Sequence, residues 1–242
     1  MDRFEKFCGE FRKILSEEKT VLRSIERGRE PVAELMSDPD WFCSYLEKLI
    51  SPGAAAGGER SGIWPNEYTL YRSPDKLFVV FAYIWDVGQV DFIHDHNAWG
   101  IVGTLFGKVG EKKYERLDDG SREGFCEIRK TAEYVFSPGD TTFVLPLNKG
   151  LHAMDNSTSE LAVTVNIYRK VTDRNYVQSF NPVEKTVARV FPPRTFKEIL
   201  AVKALCVIDP SRTEEVLQKA LNASNPPYLK KEYEAVLRKL RA

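Results

Sequence analysis

Three histidines have the clearest capacity for chemistry in this chain, which contains no others. Two of them form the run His94-Asp95-His96, and the third is His152. Side chains two residues apart on an extended strand point to the same face, so His94 and His96 can bind one ion while Asp95 faces away. His152, in a second strand-turn region, would complete the site from across a barrel. Structural histidines that are exposed or hydrogen-bonded explain the spacing equally well.

The residues around these histidines resemble the two cupin motifs. Gly88 precedes the pair, Gly107 lies at the far end of the next strand, and Asn156 follows His152 by four residues. In the common cupin pattern a glutamate follows the paired histidines by four residues, but this chain has Gly100 there. Three neutral imidazoles leave the charge of a dication uncompensated, so the site should favour anionic ligands and keep coordination positions open.

Among cupins, three histidines without the acid look like the thiol dioxygenases, for which cysteine dioxygenase and 3-mercaptopropionate dioxygenase serve as models. The run Ile93–His96 and the pair Leu151–His152 carry this resemblance, and the stretch 96–103 is similar in character to bacterial members. The resemblance implies a mononuclear non-haem iron(II) enzyme that oxidises a small thiol, cysteine or 3-mercaptopropionate-like, to its sulfinate with O2. It implies three ligands for the iron, namely His94, His96 and His152. Nickel, zinc and manganese are the alternative metals if the site serves another reaction.

A polar strand near the end of the barrel extends the resemblance. In the family a serine, a histidine and a tyrosine alternate there near the iron, and this chain has Thr164, Asn166 and Tyr168. Their period of two puts all three on one face. The resemblance implies that Tyr168 orients oxygen or substrate, with the other two in support. Asn166 departs from the family histidine, because an amide forms hydrogen bonds but does not titrate near neutrality.

The substrate-binding residues follow the family less closely. Cysteine dioxygenases hold the substrate carboxylate with an arginine in a Tyr-Thr-Arg stretch, where this chain has Tyr68–Leu70. Arg72 and Arg174 are the candidate carboxylate clamps, although each alone is as easily a solvated surface arginine. Trp99 is a candidate pocket wall beside the histidines, with core packing as the default for a large aromatic side chain on a strand.

Two other functions stay open at this point. One is a metal-dependent cupin oxygenase or isomerase that acts on a non-thiol small molecule, since a fold supports many chemistries. The other is a binding or sensor cupin without turnover. The substitution at Asn166 and the missing family arginine keep both open.

Composition indicates an ordinary soluble globular chain of 242 residues, 43% hydrophobic, with 35 basic and 35 acidic residues. The balanced charge argues against nucleic acid as a partner. The longest apolar run, Leu77–Trp85, is far shorter than the about 20 residues of a transmembrane helix, so no membrane partner is expected.

Four dispersed cysteines and an N-terminus without a secretory pattern predict a cytoplasmic protein. The sequence leaves the oligomeric state unknown.

The segments around the site predict a mainly β fold with flanking α-helices. Phe4, Phe7 and Phe11 recur at helical steps, and Asp38-Pro39-Asp40 starts a further helix. Residues 51–62 read as a linker. Short strands follow, and helical periodicity returns after Pro193. We expect a cupin double-stranded β-helix barrel bracketed by N- and C-terminal helices, divided into residues 1–62, 63–180 and 181–242.

Overall fold

The computed structural model describes residues 2–50, 62–172, 174–222 and 227–241. Most of the predicted linker, residues 51–61, lies outside the described part of the chain. The predicted helices at both ends are confirmed. Within the described residues the helices are α1 (Arg3–Glu17), α2 (Val21–Met36), α3 (Asp40–Ile50), α4 (Pro193–Ile208), α5 (Pro210–Asn222) and α6 (Pro227–Leu240).

The middle of the chain forms the strands that the alternating apolar and turn-forming segments predict. In chain order these are β1 (Glu67–Arg72), β2 (Val79–Trp85), β3 (Ile93–His94), β4 (Ala98–Phe106), β5 (Val109–Arg116), β6 (Ile128–Phe136), β7 (Thr141–Val144), β8 (Leu151–Asp155), β9 (Ala162–Lys170), β10 (Val177–Asn181) and β11 (Thr186–Val190).

These strands make two antiparallel sheets with a jelly-roll order. One sheet runs β1-β2-β9-β4-β7, and the other runs β11-β10-β3-β8-β5-β6. If the eight strands β2 to β9 are counted one to eight, the sheets read 1-8-3-6 and 2-7-4-5. Successive strands alternate between the sheets except at the β5–β6 hairpin, whose two strands pair in the second sheet, and this is how two Greek keys close a double-stranded β-helix. The predicted barrel is confirmed by this order.

The N-terminal helices cover the outer face of the first sheet. Helix α1 begins with a capping box, in which the Asp2 carboxylate accepts from the Glu5 backbone N–H and the Glu5 side chain accepts from the Asp2 N–H. Helix α2 packs against β4, and Gly28 permits the close approach, since a Cβ there would lie 2.8 Å from both Ile101 and Phe11. Burial of this apolar layer fixes which face of each strand points into the barrel.

Alternation along β9 shows the two faces most clearly. Val163, Val165 and Ile167 pack in the cluster beneath the helices, whereas Thr164 and Asn166 are buried between the two sheets. A one-residue slip in register would exchange these sets. The barrel interior at this strand is therefore polar, as the sequence predicts.

The second sheet continues beyond the predicted barrel segment. Strand β10 pairs with β3 on one side and with β11 on the other, so the predicted boundary after residue 180 falls inside β10. Helices α4 to α6 then form their own apolar cluster, with Leu217 and Leu237 at its centre. The division into three segments stays a prediction. No helix in the described ranges is long and apolar enough to cross a membrane.

Candidate metal centre

The three histidines meet in the barrel interior. His94 on β3 lies directly opposite His152 on β8, and His96 follows two residues later on the same side. Their ring centroids are 4.7–4.8 Å apart, and the Nε2 atoms of His96 and His152 are separated by 2.9 Å. One ligand atom from each ring lies within 4.8 Å of the others, and all three side chains are buried. The predicted cluster is therefore present.

The outer ring nitrogens of two histidines are already hydrogen-bonded. His94 Nδ1 is 2.8 Å from the carbonyl oxygen of Phe92, and His152 Nδ1 is 2.7 Å from Glu111 Oε1. Both partners accept hydrogen bonds, so Nδ1 carries the proton in each ring. Nε2 then presents its lone pair to the centre, which is the orientation that histidine ligands of metals adopt.

Burial favours the neutral form of His96 and of His152. It lowers the pKa of His96 and of His152 well below the ordinary histidine range, and the neighbouring histidines and the Lys113 ammonium lower both further. Neutral imidazole is the form that binds metals. The lone pairs are thus available at neutral pH without the loss of a proton.

The separation of the His96 and His152 nitrogens suits binding of a single transition-metal ion. Bonds of about 2.1 Å from imidazole nitrogen to metal, at right angles, put neighbouring nitrogens about 3 Å apart, close to the 2.9 Å between His96 and His152. The donor set therefore fits a metal held by His94, His96 and His152, and it does not identify the element.

Glu111 is a site residue that the sequence did not reveal. It lies on β5 with no exposed surface, and it accepts hydrogen bonds from His152 and from the Thr142 hydroxyl at 2.8 Å. The Lys113 ammonium is 3.6 Å away. Burial raises the pKa of Glu111, while these donors favour the carboxylate. Its negative charge partly offsets that of a bound cation, which the three neutral ligands do not.

The polar face of β9 leads from the barrel core to the histidines. The Tyr168 ring stacks on His96 with centroids 5.8 Å apart, and its hydroxyl accepts from Asn166 Nδ2 at 2.9 Å. Asn166 Oδ1 is buried and has no hydrogen-bond partner among the described residues. Thr164 lies deeper, where its hydroxyl accepts from Trp85 Nε1 at 3.1 Å. Tyr168 therefore adjoins the centre and Asn166 contacts it through the Tyr168 hydroxyl, whereas Thr164 bonds to Trp85.

At Gly100, where the common cupin pattern has a glutamate, the Tyr168 ring fills the space beside the strand. The strand position of Gly100 is directly opposite Tyr168, and a Cβ at Gly100 would lie 2.3 Å from Tyr168 Cδ1 and 2.7 Å from the Ile167 carbonyl oxygen. The tyrosine ring thus occupies the space that a larger side chain at residue 100 would need. A carboxylate ligand at that position and Tyr168 in its present orientation exclude each other.

Replacement of Gly100 by alanine should destabilise the protein by about 1–3 kcal/mol, the usual cost of overpacking, because the Tyr168 ring must move away from His96. Chemical denaturation measures the free energy of unfolding. Gly9→Ala is the matched control, since a Cβ at Gly9 meets nothing within 4 Å in helix α1. A Gly100→Ala protein as stable as the wild type would contradict the close packing of this ring.

Two of the three predicted substrate-binding residues, Arg72 and Arg174, line the pocket in front of the histidines. Arg72 has its guanidinium 5.6 Å from the centre of the Phe81 ring. Arg174 donates to Asp95 at 2.9 Å and to Asn97 at 2.8 Å. Part of its hydrogen-bonding capacity is therefore already used.

The prediction that Trp99 forms a wall of the pocket is wrong, and the default interpretation of core packing holds. The Trp99 side chain is 2% exposed and packs in the apolar cluster beneath the N-terminal helices. Trp99 and Gly100 are adjacent on β4, so their side-chain directions are opposite, and Gly100 faces Tyr168. The aromatic wall is supplied by Trp64, whose ring meets His94 edge-on with centroids 4.9 Å apart.

The pocket itself has a volume of about 640 Å³, within the range of small-molecule sites. His94, His96 and Tyr168 form part of its wall. The opposite side of the His94–His96 segment is anchored by Asp95, which is fully buried and also accepts from the Gln178 backbone N–H at 2.8 Å. The pocket therefore gives a small molecule access to the histidines.

No protein-family model matches the sequence. Similar solved structures are cupin barrels of low sequence identity. A structure of the DMSP lyases RdDddP and RnDddQII has a TM-score of 0.39 and 15% identity, over 62% of this chain and 77% of the other. KdgF from a Halomonas species has a TM-score of 0.34 and 13% identity, over 48% and 91%.

The cupin domain of an XRE-family transcriptional regulator from Enterobacter cloacae is a further match, with a TM-score of 0.32 and 17% identity over 44% of this chain and 96% of that domain. Similarities at this level leave the fold to be decided by the strand order of the two sheets. That order makes this a double-stranded β-helix barrel, as the sequence predicts. Its interior holds the candidate three-histidine metal site.

Proposed function

We propose that this chain is an iron(II)-dependent thiol dioxygenase for a small acidic thiol of the cysteine or 3-mercaptopropionate kind. The supporting observation is the convergence of three buried imidazoles beside Tyr168, with glycine at residue 100 in place of a carboxylate ligand. The reaction is RSH + O2 → RSO2H. Sulfur loses four electrons, dioxygen gains four, and both oxygen atoms enter the product, so no external reductant is needed.

The metal and the protein divide the work of this reaction. Iron(II), when bound by His94, His96 and His152, supplies a cation that stabilises the thiolate and the redox chemistry that activates dioxygen. The protein holds the substrate and excludes bulk water. Neutral ligands suit this task, because they leave the positive charge of the metal free to attract an anionic sulfur.

Tyr168 and Arg72 are the side chains that we assign to substrate. Burial raises the pKa of Tyr168, so its hydroxyl stays protonated at neutral pH. Because that oxygen accepts from Asn166, its hydrogen is free to donate to oxygen or substrate in the pocket. Arg72 has no ion-pair partner among the described residues, so its guanidinium is available for a carboxylate, whereas Arg174 is already bonded to Asp95.

Oxygen uptake by the iron-loaded protein tests this proposal. We expect consumption of O2 that requires both iron(II) and a thiol, with cysteine and 3-mercaptopropionate as first substrates and a product heavier than the thiol by two oxygen atoms. The zinc-loaded protein is the control, because zinc has no redox chemistry. Complete inactivity of the iron form across small thiols would contradict the proposal and favour a cupin acting on a non-thiol molecule.

A further inference from the structure

The pocket that opens onto the histidines has an excess of positive charge. Four basic side chains line it, namely Arg72, Lys76, Lys170 and Arg174, whereas Glu67 is the single acidic residue among its described lining. The whole chain carries equal numbers of basic and acidic residues. The imbalance is therefore local to this pocket.

Two of these five charges are already engaged. Arg174 is paired with the buried Asp95, with 2.9 Å between Nη2 and Oδ2. Glu67 accepts a hydrogen bond from the Tyr83 hydroxyl at 2.7 Å, deeper along β1. The other three cations, Arg72, Lys76 and Lys170, form no ion pair with any residue in the described ranges.

Strand register places these three cations around one end of the barrel. Arg72 is opposite Val79, and Val79 is opposite Tyr168, so all three side chains share the inner face of the sheet. Lys170 is two residues beyond Tyr168 on the same face, one step nearer the opening. Lys76 lies in the turn that joins β1 to β2 at this same end.

We propose that the substrate of this site carries two acidic groups besides the sulfur. This inference rests on the thiol oxidation proposed above. Arg72, level with Tyr168, would hold the first carboxylate, and Lys170 and Lys76, nearer the opening, would hold the second acidic group. Unpaired positive charges around a cleft repel one another and attract anions. A pocket of about 640 Å³ accommodates a dicarboxylate thiol.

A pair of thiols that differ by one carboxylate tests the inference directly. Mercaptosuccinate and 3-mercaptopropionate are compared as substrates of the iron-loaded protein by oxygen uptake. We expect kcat/KM to be about threefold to tenfold higher for mercaptosuccinate, since exposed ion pairs contribute modestly and the two lysines act together. The difference should reside in KM and should shrink as salt is added, because exposed charges are screened.

Lysine variants identify the residues responsible. Lys170→Gln and Lys76→Gln should raise KM for mercaptosuccinate and leave KM for 3-mercaptopropionate nearly unchanged. Lys197→Gln is the control, because Lys197 is an exposed residue of α4 outside the pocket. Binding of succinate and propionate to the same protein without oxygen, measured by calorimetry, gives a second readout that does not depend on turnover.

The outcomes separate this inference from the proposed function. Oxidation of 3-mercaptopropionate with no preference for mercaptosuccinate would overturn the two-acid inference and leave thiol oxidation standing. If no thiol is oxidised, the inference is judged by calorimetry. A dianionic ligand is supported if succinate binds more tightly than propionate and if the affinity for succinate falls in Lys170→Gln. Equal binding of the two acids would overturn it.

Discussion

Replacement of His152 by alanine should abolish high-affinity metal binding and, with it, any oxidation of thiols. His152 supplies one of three converging nitrogens, and its Nε2 is 2.9 Å from that of His96. Loss of a hydrogen-bond partner behind a ligand alone reduces metal affinity by about 10–100-fold, so loss of the ligand itself should exceed about 100-fold. Competition with a coloured chelator measures the affinity for iron(II) or cobalt(II).

The control for this variant has to separate folding from metal binding. Thr213→Ala removes a buried hydroxyl in helix α5, within the C-terminal helical cluster, and should leave metal affinity unchanged. Thermal unfolding of each metal-free protein shows whether the fold persists. A folded His152→Ala protein that binds metal as tightly as the wild type would refute the three-histidine site.

Replacement of Glu111 by glutamine should lower metal affinity by about 10–100-fold, although Glu111 is not itself expected to touch the metal. The carboxylate accepts from His152 Nδ1 at 2.7 Å and so fixes the ring and its proton. A neutral amide of the same shape removes the charge that offsets the cation. Thermal unfolding of the metal-free variant checks that the protein still folds without this buried carboxylate.

Glu115→Gln on the same strand is the matched control. Glu115 is partly exposed and pairs with Arg129, away from the histidines. Its replacement should leave metal affinity within twofold of the wild type, as measured by the same chelator competition. Equal affinities for both variants and the wild type would show that the Glu111 contact does not support metal binding.

Local patterns predicted much of the site because its residues repeat with the period of a strand. His94 and His96 share a face, as do Asn166 and Tyr168, and Tyr168 stacks on His96 in the barrel interior. His152 joined them through the resemblance to cupins, since nothing local to residue 152 shows that β8 pairs with β3. The helices at both ends followed from apolar spacing.

Other features depended on contacts between distant segments. Glu111 lies in the run Glu111-Lys112-Lys113, whose charges suggest an exposed strand; its burial follows from pairing of β5 with β8, which points this carboxylate at His152. Trp99 was assigned to the pocket because it is close to the histidines in sequence. Its actual direction is set by the register that places Gly100 opposite Tyr168.

The buried contact between Asp95 and Arg174 links two regions that enzyme engineering normally treats separately. Asp95 stands between two histidines of the candidate metal centre, and Arg174 belongs to the segment that borders the entrance. A change of Arg174 made to alter substrate preference would leave a charge stranded behind the metal centre and disturb its ligands. Arg72 and Lys170, on the facing sheet, are the positions where selectivity can be redesigned without that penalty.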